Sequence, residues 1–124
     1  MRLTFSPAYS PPETLCEANK GTTHVVAQPA MDMWAVGVIA YELSLNHTAF
    51  TPMVWPRAAV LEAAMGLRPY PWEDKVGVFS SLPELRALGR VVRACLSRNP
   101  ANRPSAEVFL RELNHLYDER SAQL

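Results

Sequence analysis

Aspartate, lysine and histidine are scarce in this 124-residue chain. It holds three aspartates (Asp32, Asp74, Asp118), two lysines (Lys20, Lys75) and three histidines. Chemistry that needs several aspartates therefore has few residues to draw on. His24, His47 and His115 share no metal-ligand spacing. Two cysteines, Cys16 and Cys95, lie 79 positions apart and match no zinc or redox spacing. They are expected as free thiols in a reducing compartment, with a single disulfide left open. Net charge is also lacking, with 12 basic against 12 acidic side chains. That removes the electrostatic case for nucleic acid or an anionic membrane as partner. Long hydrophobic runs are missing too. The longest, Met33 to Tyr41, has nine residues and is flanked by Asp32 and Glu42, about half a membrane span. No arginine-rich leader or secretory apolar segment follows Met1, so the default expectation is cytoplasmic.

What is present points to a folded helical chain. Apolar residues make up 48% and charged residues 19%, too hydrophobic and too neutral for disorder. Eleven prolines imply several forced stops between helices. Residues 1 to 30 are loop-rich, with a helical turn expected around Glu13 to Ala18. Met31 to Leu45 is apolar on nearly every face, the pattern of a helix surrounded by protein. Asp32 near its start suits the helix dipole or a cap, and Asn46 suits its stop. A short helix is expected from Pro56 to Gly66, with loop from Leu67 to Leu82. Pro83 to Arg98 carries the stripe Leu85, Leu88, Val92, Cys95 and Leu96, opposite Arg86, Arg90 and Arg93. That arginine face could bind phosphate, although a solvated face suits the neutral chain better. A last helix starts at Pro104-Ser105, with the stripe Ala106, Phe109, Leu110, Leu113, Leu116 and Tyr117. Thr22 to Ala27 is the best strand candidate and a weak one. The fold class is all-α.

Three segments then carry a resemblance. Phe5-Ser6-Pro7-Ala8-Tyr9-Ser10-Pro11-Pro12-Glu13 resembles the serine/threonine kinase loop G-T-P-x-Y-x-A-P-E. Asp32-Met33-Trp34-Ala35-Val36-Gly37-Val38-Ile39-Ala40-Tyr41-Glu42-Leu43 is similar to that family's D-x-W-S-x-G-x-x-x-Y-E-L helix. Phe50 sits where the family usually has the phenylalanine of G-x-x-P-F. Cys95-Leu96-Ser97-Arg98-Asn99-Pro100-Ala101-Asn102-Arg103-Pro104-Ser105-Ala106 resembles C-L-x-x-D-P-x-x-R-P-S-A. Each is short, but together and in this order they resemble the C-terminal lobe of a eukaryotic-type protein kinase domain. Phe5, Ser6, Pro11, Asn46 and Asn99 depart from the family pattern.

The resemblance implies a partial kinase domain over residues 1–118 and a tail over 119–124. It implies that Glu13 pairs with Arg103, 90 positions away. It also implies that Ser6, Pro7 and Tyr9 help shape the pocket for the substrate residue after the phosphoacceptor. Asp32 would contact a catalytic loop in the family; with no such motif in this sequence, a helix-start role is the safer expectation. Trp34 and Gly37 are expected to pack, tryptophan filling core and glycine admitting a close helix.

A complete parent would use ATP and Mg2+ to phosphorylate protein serine or threonine hydroxyls. That requires a glycine-rich loop, a strand lysine, an H-R-D catalytic loop and a D-F-G aspartate. This sequence contains no G-x-G-x-x-G, H-R-D or D-F-G. No catalytic, cofactor or metal residue is therefore assigned, and the chain alone is expected to be inactive. The first reading is a truncated kinase, through an incomplete gene model or a remnant. The alternative is a non-catalytic interaction or scaffold module, and an unrelated helical adaptor comes third. The expected partner is a protein or the remainder of a kinase domain. Without it, apolar surface on the central helix would stay open and the fold would be marginal or sticky.

Overall fold

The structure, a computed structural model, describes residues 7–22, 24–45, 48–51, 53–74 and 83–122. A 3-10 turn at Pro7–Tyr9 leads into α1 (Pro12–Asn19). Pro12 occupies the first helical position, where a missing N–H has no intrahelical partner to lose. Gly21, at φ 88°, closes α1. The Gly21 and Thr22 amides return to Ala18 O and Glu17 O, a left-handed stop that satisfies the last carbonyls.

The central helix α2 spans Pro29–Leu45. Its start precedes the expected Met31, so Asp32 lies inside the first turn rather than at the cap. The dipole argument for an acid there survives and the capping argument does not. The expected stop at Asn46 lies outside the described residues. Helix α3 (Arg57–Ala64) follows Pro56 and is closed by Gly66 at φ 80°. A short helix α4 (Pro71–Asp74) then interrupts the stretch expected to be loop. Helix α5 covers Pro83–Cys95, and a 3-10 turn at Pro100–Asn102 precedes α6 (Ala106–Ala122). Asn99 Oδ1 accepts the Ala101 N–H at 3.0 Å. Asparagine therefore supplies a capping oxygen where the family writes aspartate. Ser105 Oγ caps α6 by accepting the Val108 N–H at 3.2 Å. Among the described residues there is no strand; the Thr22–Ala27 region holds only an isolated bridge at His24. The chain is all-α.

The core gathers where α2 packs on α5 and on the segment after α3. Trp34, Tyr41, Phe50, Tyr70 and Trp72 are all buried and in mutual ring contact. Tyr70 and Trp72 stack at 4.8 Å, and Trp34 meets both edge-on at 5.1 and 5.4 Å. Leu15, Val38, Val60, Ala63, Val92 and Leu96 complete the cluster. The enclosure of α2 is one-sided. Trp34, Val38 and Tyr41 face the core, whereas Ile39 is 49% and Leu43 77% exposed. The elements packed on α2, namely α5, the two 3-10 turns and the Tyr70–Trp72 segment, leave that second face open. Full burial of one such side chain is worth about 1.5–3 kcal/mol.

Helix α6 departs further from its apolar stripe. It docks on α5, and Phe109, Leu113 and Leu116 are only half-buried. Ala106, Leu110 and Tyr117 are exposed. The helix also continues through Ala122, past the residue where the tail was expected. Both cysteines are free, Cys16 half-buried on α1 and Cys95 buried on α5. Burial pushes the Cys95 thiol up to about 11, which keeps it protonated and unreactive at neutral pH. Among the described residues no helix is long and apolar enough to cross a membrane.

Candidate functional site

The segment from Pro7 to Glu13 is held at two points. Ser6 lies outside the described residues, and Pro7 is described by its backbone alone. Tyr9, 40% exposed, donates its hydroxyl to Glu42 Oε1 on α2 at 2.9 Å. The other Glu42 oxygen accepts the Ala49 N–H at 2.8 Å. One carboxylate thus ties the 3-10 turn to the segment that follows α2. The hydrogen bond to Glu42, then desolvation and the charge of Glu42, push the Tyr9 phenol above its ordinary value. The proton therefore stays on the donor side of this contact.

The second point is Glu13 in the first turn of α1. Its two carboxylate oxygens meet Arg103 Nη1 at 2.6 Å and Nη2 at 2.8 Å. Arg103 reaches four places in the chain at once. Nη1 also donates to Ala30 O at 3.0 Å, Nε to Ser97 O at 2.9 Å and Nη2 to Arg98 O at 3.5 Å. A guanidinium has five N–H donors and no acceptor, and all five find oxygen here. The side chain of Arg103 is 0% exposed and that of Glu13 33%. The guanidinium also lies 5.1 Å from the Trp34 ring centre, a favourable place for a cation on a π-face. A lysine has neither the planar fork nor the five donors.

The other packing positions sit beneath this fork. Trp34 is fully buried. Gly37 faces α5 so closely that an added Cβ would meet Cys95 Cβ at 2.7 Å and Leu96 at 3.0 Å. Its missing side chain sets the α2–α5 distance. Asp32 is exposed on α2, away from this network of bonds.

A loop, a central helix and a closing turn are thus joined across 90 positions by one arginine. Over residues 1–115 the chain matches the protein kinase domain family. The chain belongs to that family. It is also 29% identical over 83 residues to the serine/threonine-protein kinase ppk30 of Schizosaccharomyces pombe. The matched region is 66% of this chain and 7% of that relative, so the chain is similar to a small part of a much longer protein.

Within this kinase-family chain a second arginine does comparable work that the motifs did not announce. Arg98 grips Glu73 with Nε at 3.1 Å and Nη2 at 2.8 Å. It also donates to Ala63 O at 2.5 Å and to Arg68 O at 3.4 Å. Its guanidinium lies 4.7 Å from the Tyr70 ring centre. Desolvation pushes the Glu73 carboxyl up. The hydrogen bonds from Arg98 and the Tyr70 N–H, with the Arg98 charge, outweigh it and hold the group below its ordinary range. Position 98 falls on an unspecified x of the kinase motif, and Glu73 lies 25 residues away in a stretch read as loop. The only available signal was Pro71 followed by Glu73, an N-terminal helix pattern. On α5, Arg90 is exposed and Arg93 half-buried; the side chain of Arg86 lies outside the described set. Among the described residues, no three His, Cys, Asp or Glu side chains approach closely enough to hold a metal ion.

Proposed function

We propose that this chain is the C-terminal-lobe portion of a serine/threonine kinase domain and is not catalytic by itself. The observation that carries the reading is the Glu13–Arg103 fork. It fixes the Pro7–Glu13 segment to the final helices, which is the arrangement a substrate-shaping loop needs. In a complete parent, Ser6, Pro7 and Tyr9 would help seat the protein substrate. ATP and Mg2+ would supply the phosphoryl group and its charge neutralisation. The residues of this chain do not fit the nucleotide and metal. Asp32 on α2 and Asp118 on α6 are both exposed, and the sequence has no G-x-G-x-x-G, H-R-D or D-F-G. No step through ATP or magnesium is therefore assigned to it. The partner that the reading calls for is the remainder of a kinase domain, acting in the cytoplasm.

Two measurements test this. The purified chain, incubated with Mg2+ and radiolabelled ATP, is expected to transfer no phosphate to itself or to a generic serine/threonine substrate; magnesium-dependent transfer would overturn the inactivity. A chimaera in which residues 1–115 replace the matching segment of an active serine/threonine kinase is expected to fold and keep phosphoryl transfer. Loss of transfer in a folded chimaera would count against the lobe assignment. The second reading, a non-catalytic scaffold module, is favoured by the open face of α2 at Ile39 and Leu43. Stable, monomeric behaviour of the chain alone, with a cooperative melt, would support it.

A further inference from the structure

Two turns meet beside α3 and carry a dense group of exposed apolar side chains. In the first, the Val54 and Trp55 amides both bond to Thr51 O, at 3.1 and 2.7 Å. In the second, the Gly66 and Leu67 amides bond to Ala63 O and Glu62 O. That is the closed stop of a helix whose left-handed residue is Gly66. A large residue in the place of Leu67 commonly folds back onto its own helix, yet Leu67 is 73% exposed. Met53 is 97%, Val54 60% and Met65 41% exposed. The Arg68 guanidinium, 4.1 Å from the Trp55 ring centre, joins the turns. Trp55 is anchored in turn on Phe50 at 5.2 Å, and Arg98 holds the Arg68 carbonyl from behind.

Arg68 has no carboxylate partner among the described residues; its side chain is occupied only by the tryptophan face. A guanidinium over a ring face keeps its N–H donors for a ligand, and their fork suits a carboxylate. The bonded amides of Val54, Trp55, Gly66 and Leu67 hold these residues in place, so that little freedom is lost when a ligand settles. We infer that residues 53–55 and 65–68 form a docking surface for an acidic, apolar peptide segment of a partner protein. A carboxylate of that segment takes the Arg68 fork while its apolar side chains cover Met53, Val54 and Leu67. Charge complementarity decides the occupant, because the cation that bridges the two turns has no carboxylate partner among the described residues and favours an acidic ligand over a neutral or basic one. Such docking does not depend on whether the chain takes part in phosphoryl transfer.

The test pans a random dodecapeptide phage library on the full chain, and on its Arg68→Glu and Leu67→Asp variants. Peptides enriched on the parent chain are expected to carry aspartate or glutamate beside large apolar residues. The best of these, synthesised with a fluorophore, should bind either variant about tenfold more weakly or worse. Its Glu→Lys version should regain affinity on Arg68→Glu. Should Arg68→Glu fail to melt cooperatively, Arg68→Gln removes the charge alone and gives the same comparison. No enrichment, enrichment without acidic residues, or equal binding by the charge variants would overturn the proposal. So would a concentration-dependent dimer that Leu67→Asp abolishes, since the surface would then belong to a second copy.

Discussion

Arg103 and Arg98 stand five residues apart and make the same kind of fork, yet they do different work. Arg103 is sealed from solvent, spends every donor, and binds Glu13 across 90 positions. Arg98 has a side chain 34% exposed, against a Glu73 that is 37% exposed. Its acceptors lie in one local neighbourhood, the stretch from Ala63 to Glu73. The first pair is sealed on its arginine side alone, since Glu13 keeps a third of its surface in water; removing Glu13 strands a buried charge, and removing Arg103 strands the Ala30 and Ser97 carbonyls it satisfies. The second is bathed on one side, so water takes over much of what is lost. Together they divide the chain: Arg103 joins α1, α2 and the turn before α6, and Arg98 joins the end of α3 to α4.

Arg103→Ala should be the most damaging change, destabilising the fold by about 2–4 kcal/mol as Glu13 loses its fork and the Ala30 and Ser97 carbonyls lose their donor. That is enough to unfold a marginal chain, and urea unfolding or a thermal melt would show it. Arg103→Lys should recover little of the loss, because the fork and its spread of carbonyl acceptors are not reproduced. Gly37→Ala tests the packing beneath that fork. Its new methyl meets Cys95 Cβ, an overpacking worth about 1–3 kcal/mol, readable as a lower Tm. Arg98→Ala should cost about 1–2 kcal/mol, spread over partly exposed hydrogen bonds. Equal losses at Arg98 and Arg103 would erase the distinction between them.

The smallest expected effect is a pH dependence. The Glu73 carboxyl lies below its ordinary value of 4.5 when folded. Its contribution is therefore present above that value and is lost as pH falls through the folded one. Glu73→Gln should lower Tm slightly at neutral pH, and the difference from the parent should vanish in acid. A constant difference down to acid pH would mean that the Arg98 fork is not coupled to the Glu73 charge.

The same contrast explains which parts of the molecule were legible beforehand. Glu13, Trp34, Gly37 and Arg103 stood out because each sits inside a motif, and the all-α class followed from apolar stripes and prolines. Arg98 and Glu73 carried no such mark, since a fork between positions 25 apart leaves no periodicity. Helix α4 was hidden because Pro69 and Pro71 look like loop, although proline in the first turn suits a helix start. Asp32 was misplaced at a cap because the apolar pattern begins at Met31, while the backbone turns helical at Pro29. The stripe on α6 was recognised as a helix face, but a stripe shows only that a face is apolar, not what covers it.

The most direct test of the central claim is a double-mutant cycle on Glu13→Ala and Arg103→Ala, followed by urea unfolding of the full chain. A fork that locks the loop to the last helices predicts that the double variant loses far less than the sum of the singles. The coupling should be about 1–3 kcal/mol. Losses that simply add would contradict it.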